Sequence, residues 1–457
     1  MDAKLERKVD TTPESPAPDA SRRRIVVGST AAAATALVLP KPLWGQPRQS
    51  VNISFWTWEN PQQRPWIHKR VKMYMEKNPH VKVDFQFFPF GDLGKKLAVG
   101  FATGTAPDGF ASQDWVMPVW LDKGLLAPLD PGMVGYSSVA EFRNAHTSAA
   151  AQTATQGDRL YGVPFQFYGF CNYLNTRHFQ EVGLNAEKDW PKSWPELGEV
   201  AKRLSIKEGN RFVRQGFKFA MHSPVWTTIQ FNPILHQHGG KWFDESGKCV
   251  INNEAGVKAM TVRASLVREY GAEDPADTVA TNPLPMMDWL RERASMFFNH
   301  PIPLSAIESQ NPKMAAEKYF RPVQYPGVRP GQGYSTTYGF HFVVSSKTTP
   351  EKQQVLQDMY RFIMDDLGDL WKDVAPFPAA RKGKWIEDPM VKSYPGFDEI
   401  IKARDNGVPL PRTLVFNELA DALHRAVQNI VLNRGDIKGS LDSAAAEIDR
   451  AMAGYKR

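Results

Sequence analysis

Val51, Ile53 and Phe55 alternate with polar neighbours, a period of two that predicts a half-buried strand. Pro65 then opens a stretch in which Ile67, Val71 and Tyr74 recur at helical spacing, and Asn78-Pro79 closes it. Val81, Val83, Phe85 and Phe87 alternate again. Leu93, Leu97 and Phe101 return to the helical period and end near Gly104. Residues 108–112 read as a third short strand. Strand, helix, strand, helix, strand is the order of a right-handed parallel α/β unit.

A second unit starts after Tyr161-Gly162-Val163-Pro164, a turn between two apolar segments. Ser193-Trp194-Pro195-Glu196 has the form of a capping box, with Leu197, Val200, Ala201 and Leu204 as the buried stripe behind it. One more helix is expected to end at Gly239-Gly240. Asn253 caps another, with Val257, Met260, Ala264 and Val267 inward and Gly271 at its end. Tyr338, Phe340, Phe342 and Val344 alternate as a late strand. Beyond it the spacing is helical: Val355, Met359 and Phe362; then Leu419, Leu423, Val427 and Ile430; then Leu441, Ile448 and Met452 behind a cap at Ser440. The pattern is that of a two-lobed α/β protein.

Composition narrows the function classes. The chain has 457 residues, 42% of them hydrophobic, which suits two or three compact units. Its formal net charge of +7 comes from basic residues scattered among acids, without the clustered basic face that nucleic acid requires. No apolar run is long enough to span a bilayer. The two cysteines, Cys171 and Cys249, form no CxxC pair and lie in apolar segments where a thiol behaves as a small hydrophobe.

The amino terminus is an address. A polar, Pro-rich start leads to Ser21-Arg22-Arg23-Arg24-Ile25-Val26 and then to an Ala-rich apolar stretch with small residues near Gly45. Basic region, apolar region and small residues make an export signal over residues 1–45. The paired arginines resemble the twin-arginine class, although Val27 departs from its frequent Lys. Export implies a mature protein in the periplasm, with a net charge of +5 after cleavage near Gly45. A route that carries folded cargo leaves the two thiols unpaired.

Catalytic signatures are missing. The sequence holds no GxxxxGK[ST], no GxGxxG after a strand, no HExxH and no GxSxG. Its ten histidines are dispersed, and His236 and His238 point to different faces of a helical segment. No metal, cofactor or catalytic group is nominated.

Several segments in order resemble the carbohydrate-class extracellular solute-binding proteins of ABC importers, the maltose-binding-protein-like family 1. They are Phe55-Trp56-Thr57-Trp58-Glu59-Asn60, Asn78-Pro79 before Val81-Lys82-Val83, Gly104-Thr105-Ala106-Pro107-Asp108, and Gly124-Leu125-Leu126-Ala127-Pro128-Leu129-Asp130. Tyr161-Gly162-Val163-Pro164, Asn172-Tyr173-Leu174-Asn175, Trp194-Pro195-Glu196-Leu197, Gly239-Gly240-Lys241-Trp242-Phe243 and Ser295-Met296 follow. The resemblance covers residues 51–455. It implies the type II periplasmic-binding-protein fold, each lobe a parallel-type sheet flanked by helices, with a sugar held between the lobes. The implied lobes are discontinuous, 51–164 with 298–338 and 165–297 with 339–457. Crossovers would fall near Pro164–Gln166, Phe298–Pro301 and Tyr338–Phe340. The implied partners are a carbohydrate and the transmembrane permease subunits, and the implied state is a monomer.

A pyranose offers apolar C–H faces and a rim of hydroxyls, so its site needs flat rings and side chains that donate and accept. Cleft loops follow the carboxyl ends of strands in open α/β sheets. That rule selects Trp58, Glu59 and Asn60 after the first strand and Gln113, Asp114 and Trp115 after the third. Matching to the family's binding segments adds Gln166 and Tyr168, Ser223 and Trp226, Asn299 and His300, Tyr338 and Gly339, and Arg412 and Phe416. Each has a plainer alternative: the tryptophans as core, Glu59 or Asp114 as helix caps, Arg412 in a solvated ion pair and Asp108 as a turn residue. An anionic sugar or polyol phosphate paired with Arg412, and an exported glycoside-active enzyme, stand as rival readings.

Overall fold

The computed structural model describes residues 49–61, 63–220, 223–279, 285–365 and 378–455. The export signal expected at residues 1–45 lies outside them. The first strand, β1 (Val51–Trp58), buries every second side chain as its alternation requires. Helix α1 (Arg64–Lys77) starts with Pro65 in its first turn and turns Trp66, Ile67, Val71 and Tyr74 inward. β2 (Val81–Phe88), α2 (Phe90–Thr103) and β3 (Gly109–Gln113) follow, with Gly104 in the left-handed region at φ 77° to stop α2. All five elements match the hydrophobic pattern.

Two short helices, α3 (Val139–Ala145) and α4 (Ser148–Ala154), precede the strands β4 (Val163–Gly169) and β5 (Cys171–Asn175). Helices α5 (Trp194–Leu204), α6 (Pro224–Gln237) and α7 (Glu254–Arg268) come next, then the strands β6 (Met296–Asn299), β7 (Phe320–Val323) and β8 (Thr336–Val344). Helix α8 (Pro350–Met364), helix α9 (Phe397–Asn406), strand β9 (Val408–Pro409) and helices α10 (Phe416–Val431) and α11 (Ile437–Tyr455) complete the fold.

The main sheet runs β9-β8-β3-β1-β2, with β4 also paired to β8. The pairs β1–β2, β1–β3 and β8–β9 are parallel, whereas β8 is antiparallel to both β3 and β4. A second sheet, β6-β5-β7, is antiparallel throughout. The parallel-type pairing expected for both sheets therefore describes only part of the first one. Every residue of β4, β5 and β8 is buried. A register shift at Phe340/His341 interrupts the β8–β4 ladder.

Four expectations need correction. The segment 298–338, expected beside 51–164, instead supplies β7 to the sheet of β5. The segment 350–364, expected with the other half, packs α8 on α1, where Arg70 donates to the Phe362 carbonyl and the Tyr74 hydroxyl to Asp358. The chain passes between sheets at Phe170 and again between Val323 and Thr336, not at 164–166 or 298–301. Ser440 is not a cap: it lies inside α11 and donates to the Asp436 carbonyl, while the Asp436 carboxylate accepts from the Gly439 amide at 2.6 Å.

Elsewhere the local reading holds. Ser193 accepts from the Glu196 amide at 3.4 Å, and the Glu196 carboxylate reaches back one residue further, to the Lys192 amide. Asp108 is a structural turn residue, fixed by the Ser54 amide and the Lys352 ammonium at 2.9 Å each. Cys171 and Cys249 are both free and buried. Among the described residues no helix is long and apolar enough to cross a membrane.

Candidate ligand-binding site

The carboxyl end of β1 carries Trp58, which stacks on Phe340 of β8 with ring centroids 3.9 Å apart. Phe340 sits in a row across the sheet, in register with Gln113 of β3 on one side and Gln166 of β4 on the other. Trp115, just past β3, meets Tyr338 at 5.3 Å and Phe416, the first residue of α10, at 5.9 Å. Tyr168 of β4 lies 5.6 Å from Tyr338 and 5.3 Å from His300, which follows β6. His300 in turn lies 5.7 Å from Trp226 in the first turn of α6. Thus Trp58, Trp115, Tyr168, Trp226, His300, Tyr338 and Phe416 form one continuous group of rings, with Phe340 joining Trp58 to the rest. They converge from the main sheet, the end of β6 and the starts of two helices.

Most of these rings are covered in this conformation, Trp58 being 7% and Trp115 4% exposed, while Trp226 is half-buried. The indoles lie against aromatic partners from separate elements: Trp58 and Trp115 against β8, Trp115 also against the start of α10, and Trp226 against Phe170 and His300 beside the strands.

Polar groups sit among the rings. The Asp114 amide donates to the Gly339 carbonyl, and the Gly339 amide donates back to Asp114 Oδ2, both at 3.0 Å. Asp114 is therefore not a helix cap. Its other oxygen, Oδ1, is buried with no hydrogen-bond partner, as is Nε2 of Gln166. Burial pushes the Asp114 carboxyl up to about 8, against the pull of the Gly339 and Trp115 amides and of Arg412. His300 is pushed down to about 3 by burial and is neutral at ordinary pH. The Tyr168 hydroxyl donates to Gln166 Oε1, and burial raises its pKa well above the usual phenol value. Position 339 must be glycine, because a Cβ there would lie 2.2 Å from the Phe167 ring and 2.3 Å from the Gln166 carbonyl.

The remaining expected residues divide. Glu59 forms an ion pair with Arg64 at 2.9 Å, and Asn60 Oδ1 accepts from the Gln63 amide, so both brace the start of α1. Ser223 caps α6 by accepting from the Trp226 amide at 3.4 Å. Asn299 accepts from the His300 amide and fixes that ring's backbone. Arg412 makes no ring contact among those described; its guanidinium donates to the Gln152 carbonyl of α4. Sequence reasoning missed Phe340, Phe170 and Gln63. Phe340 was legible as the neighbour, two positions on, of Tyr338. Phe170, 5.9 Å from both Trp226 and His300, carries no periodic signal because it occupies the passage between sheets. Gln63, whose buried Nε2 has no hydrogen-bond partner, lies beyond the strand-end loop.

Residues 58–359 match the family model described as bacterial extracellular solute-binding protein. The chain belongs to that family. The chain is 24% identical over 257 residues to the lactose-binding protein of Rhizobium radiobacter, spanning 55% of this chain and 56% of that one. It is 20% identical to the galactooligosaccharide-binding protein of Bacillus subtilis, over 85% of this chain and 87% of the relative. Among solved structures, an ABC transporter solute-binding protein from Thermotoga lettingae bound with alpha-D-tagatose superposes with a TM-score of 0.75 at 18% identity, covering 88% of this chain and all of that one. Maltose-bound MalE3 of T. maritima gives 0.73 at 20% identity, with 88% and 100% coverage. This solute-binding protein therefore has the two-lobed α/β fold of periplasmic binding proteins.

Proposed function

We propose that this solute-binding protein captures a sugar or oligosaccharide between its two lobes and delivers it to the permease subunits of an ABC importer. The observation that carries the reading is the ring group itself, which surrounds one unpartnered carboxyl oxygen, Asp114 Oδ1, and one unpartnered donor, Gln166 Nε2. A sugar hydroxyl both donates and accepts, so a pyranose seated on the rings satisfies both groups. Relatives named for lactose, galactooligosaccharide and arabinooligosaccharide binding support the same chemical class. Trp58, Asp114 and Trp115 act from the main sheet, Tyr168 and Gln166 from the strand that leaves it, and Trp226, His300 and Phe416 from the opposing elements.

The rings touch one another in this conformation, so capture requires opening and reclosing. A ligand favours the closed form only through contacts to both sides. The protein binds without catalysis and works as a monomer in the periplasm. The leader carries it there by the twin-arginine route, and Arg22→Lys with Arg23→Lys is expected to leave precursor in the cytoplasm.

Thermal unfolding with lactose, maltose, galactooligosaccharide, arabinooligosaccharide and tagatose tests the reading. A ligand at about 100 times its dissociation constant adds about 2.7 kcal/mol of stability. Trp226→Ala is expected to weaken calorimetric affinity for the stabilising sugar about tenfold or more while leaving the far-ultraviolet circular dichroism unchanged. Unchanged affinity removes Trp226 from the site; no stabilisation by any neutral sugar removes the sugar reading.

A further inference from the structure

A recess of about 650 Å³ lies between α3, α4 and the segments around residues 382 and 412. Three cations line it, Arg143, Lys382 and Arg412, together with His146, Ser148 and Gln152, and none of its lining residues is acidic. Two buried cations elsewhere meet carboxylates: Lys218 lies 3.0 Å from Asp277 and 2.5 Å from Asp288, and Arg263 lies 2.8 Å from Glu273. The cations of the recess are more open, Lys382 and Arg412 exposed and Arg143 partly so, and they lack such partners. Among the described residues Lys382 and Arg412 have no carboxylate within ion-pair distance, and Arg143 reaches only Asp158, at 3.9 Å, whose side chain is fully exposed.

Each cation is instead anchored by a backbone carbonyl. Arg143 donates to Gly157, Lys382 to Asn144 at 3.4 Å, and Arg412 to Gln152. Such bonds fix the side chains without neutralising them. A guanidinium has five donors, so one carbonyl leaves most of the Arg412 fork unused. The Arg412 side chain reaches solvent, while the protein packed around it lowers its pKa. The segments that carry the cations are tied together: the Thr147 amide donates to the Ala380 carbonyl at 3.0 Å and the Lys382 amide to the Ala145 carbonyl at 2.8 Å. His146, pushed down to about 4 by burial, adds polarity without charge.

We propose that this recess is an anion site that takes a phosphate-sized oxyanion, held by Arg143, Lys382 and Arg412. Planar guanidinium groups match tetrahedral and carboxylate oxyanions and hold them through charge-assisted hydrogen bonds. The oxyanion is either free or a substituent of the ligand bound at the rings, because Arg412 also acts electrostatically on Asp114.

The test is titration calorimetry of the full mature chain with inorganic phosphate, at low and high ionic strength. Lys382→Gln is expected to weaken phosphate binding at least fivefold, and Arg143→Gln with Lys382→Gln to abolish it, with no change in affinity for the stabilising neutral sugar. Arg143 also ties the 155–157 turn, so Lys382→Gln alone serves if the double variant unfolds. Wild-type protein that binds phosphate no better than chloride, or a folded Lys382→Gln variant that binds it undiminished, overturns the proposal. Glucose 6-phosphate decides the source. Binding tighter than glucose and phosphate together explain assigns a ligand substituent, and binding no tighter than phosphate assigns a free anion. Sugar binding that fails while phosphate binding persists leaves this site standing.

Discussion

Asp114→Asn isolates the strongest electrostatic feature of the candidate site. The carboxyl is buried and accepts a hydrogen bond from the Gly339 amide. Burial raises it from 3.8 to about 8. A carboxyl raised on folding contributes stability in full below its unfolded pKa and loses it as pH rises through the folded one. Between those limits the native state holds one proton more than the unfolded chain, which removes about 1.4 kcal/mol of stability per pH unit. Four buried histidines, His146, His178, His300 and His341, act oppositely, because burial lowers each of them. Their stability is present above the unfolded value of 6.5 and is lost as pH falls.

Measurement from pH 6.5 to 8.5 therefore leaves the carboxyls dominant. Over that range Asp114 accounts for about 2 kcal/mol of lost stability. Glu273, raised to about 7 by burial, acts in the same direction in both proteins and cancels in the comparison. Asn keeps the acceptor for Gly339 and cannot ionise. Urea unfolding at the two pH values should show the wild type losing about 2 kcal/mol more than Asp114→Asn. Parallel losses would refute the argument, and would mean that solvent reaches this carboxyl and the rings stand apart in solution.

Other expectations follow from single contacts. Asp288 pairs with Lys218 at 2.5 Å and with Arg293 at 2.8 Å; Asp288→Ala leaves the buried Lys218 ammonium with Asp277 as its one carboxylate partner and should lower the urea-derived stability by about 2 kcal/mol. Gly339→Ala forces a methyl onto the Phe167 ring and the Gln166 carbonyl, so circular dichroism should show a loss of at least about 2 kcal/mol or no folded protein. Cys171 and Cys249 are free and buried, and burial raises both thiols; Ellman's reagent should label neither in the native state and both in guanidinium.

The parts legible in the sequence are those with one wet face. β1 and β2 alternate because solvent lies on one side, and α1, α2 and α5 carry clear stripes for the same reason. β4 and β5 are buried at every position, so no alternation exists to read, and the passage at Phe170 between them was placed five residues early. β7 was invisible for another reason: its four residues include Pro322 and pair only along β5. At the site, the rule that loops follow strand ends found Trp58, Asp114 and Trp115, which the structure brings against β8. It also selected Glu59 and Asn60, whose side chains serve α1. Nothing in spacing could separate Arg412 from the rings, because its placement depends on a carbonyl of α4 far away in the chain.

The register shift at Phe340/His341 places its extra residue in β4: Phe340 pairs with Gln166 and His341 with Pro164, which leaves Phe165 unpaired while the ladder between β8 and β3 runs on unbroken. The two phases of side-chain orientation therefore belong to β4, with Val163 and Pro164 before the bulge and Gln166 and Tyr168 after it. Loss of Phe165 would bring the two parts into one phase and exchange the faces that one of them presents. This strand is thus open to substitution but closed to insertion and deletion.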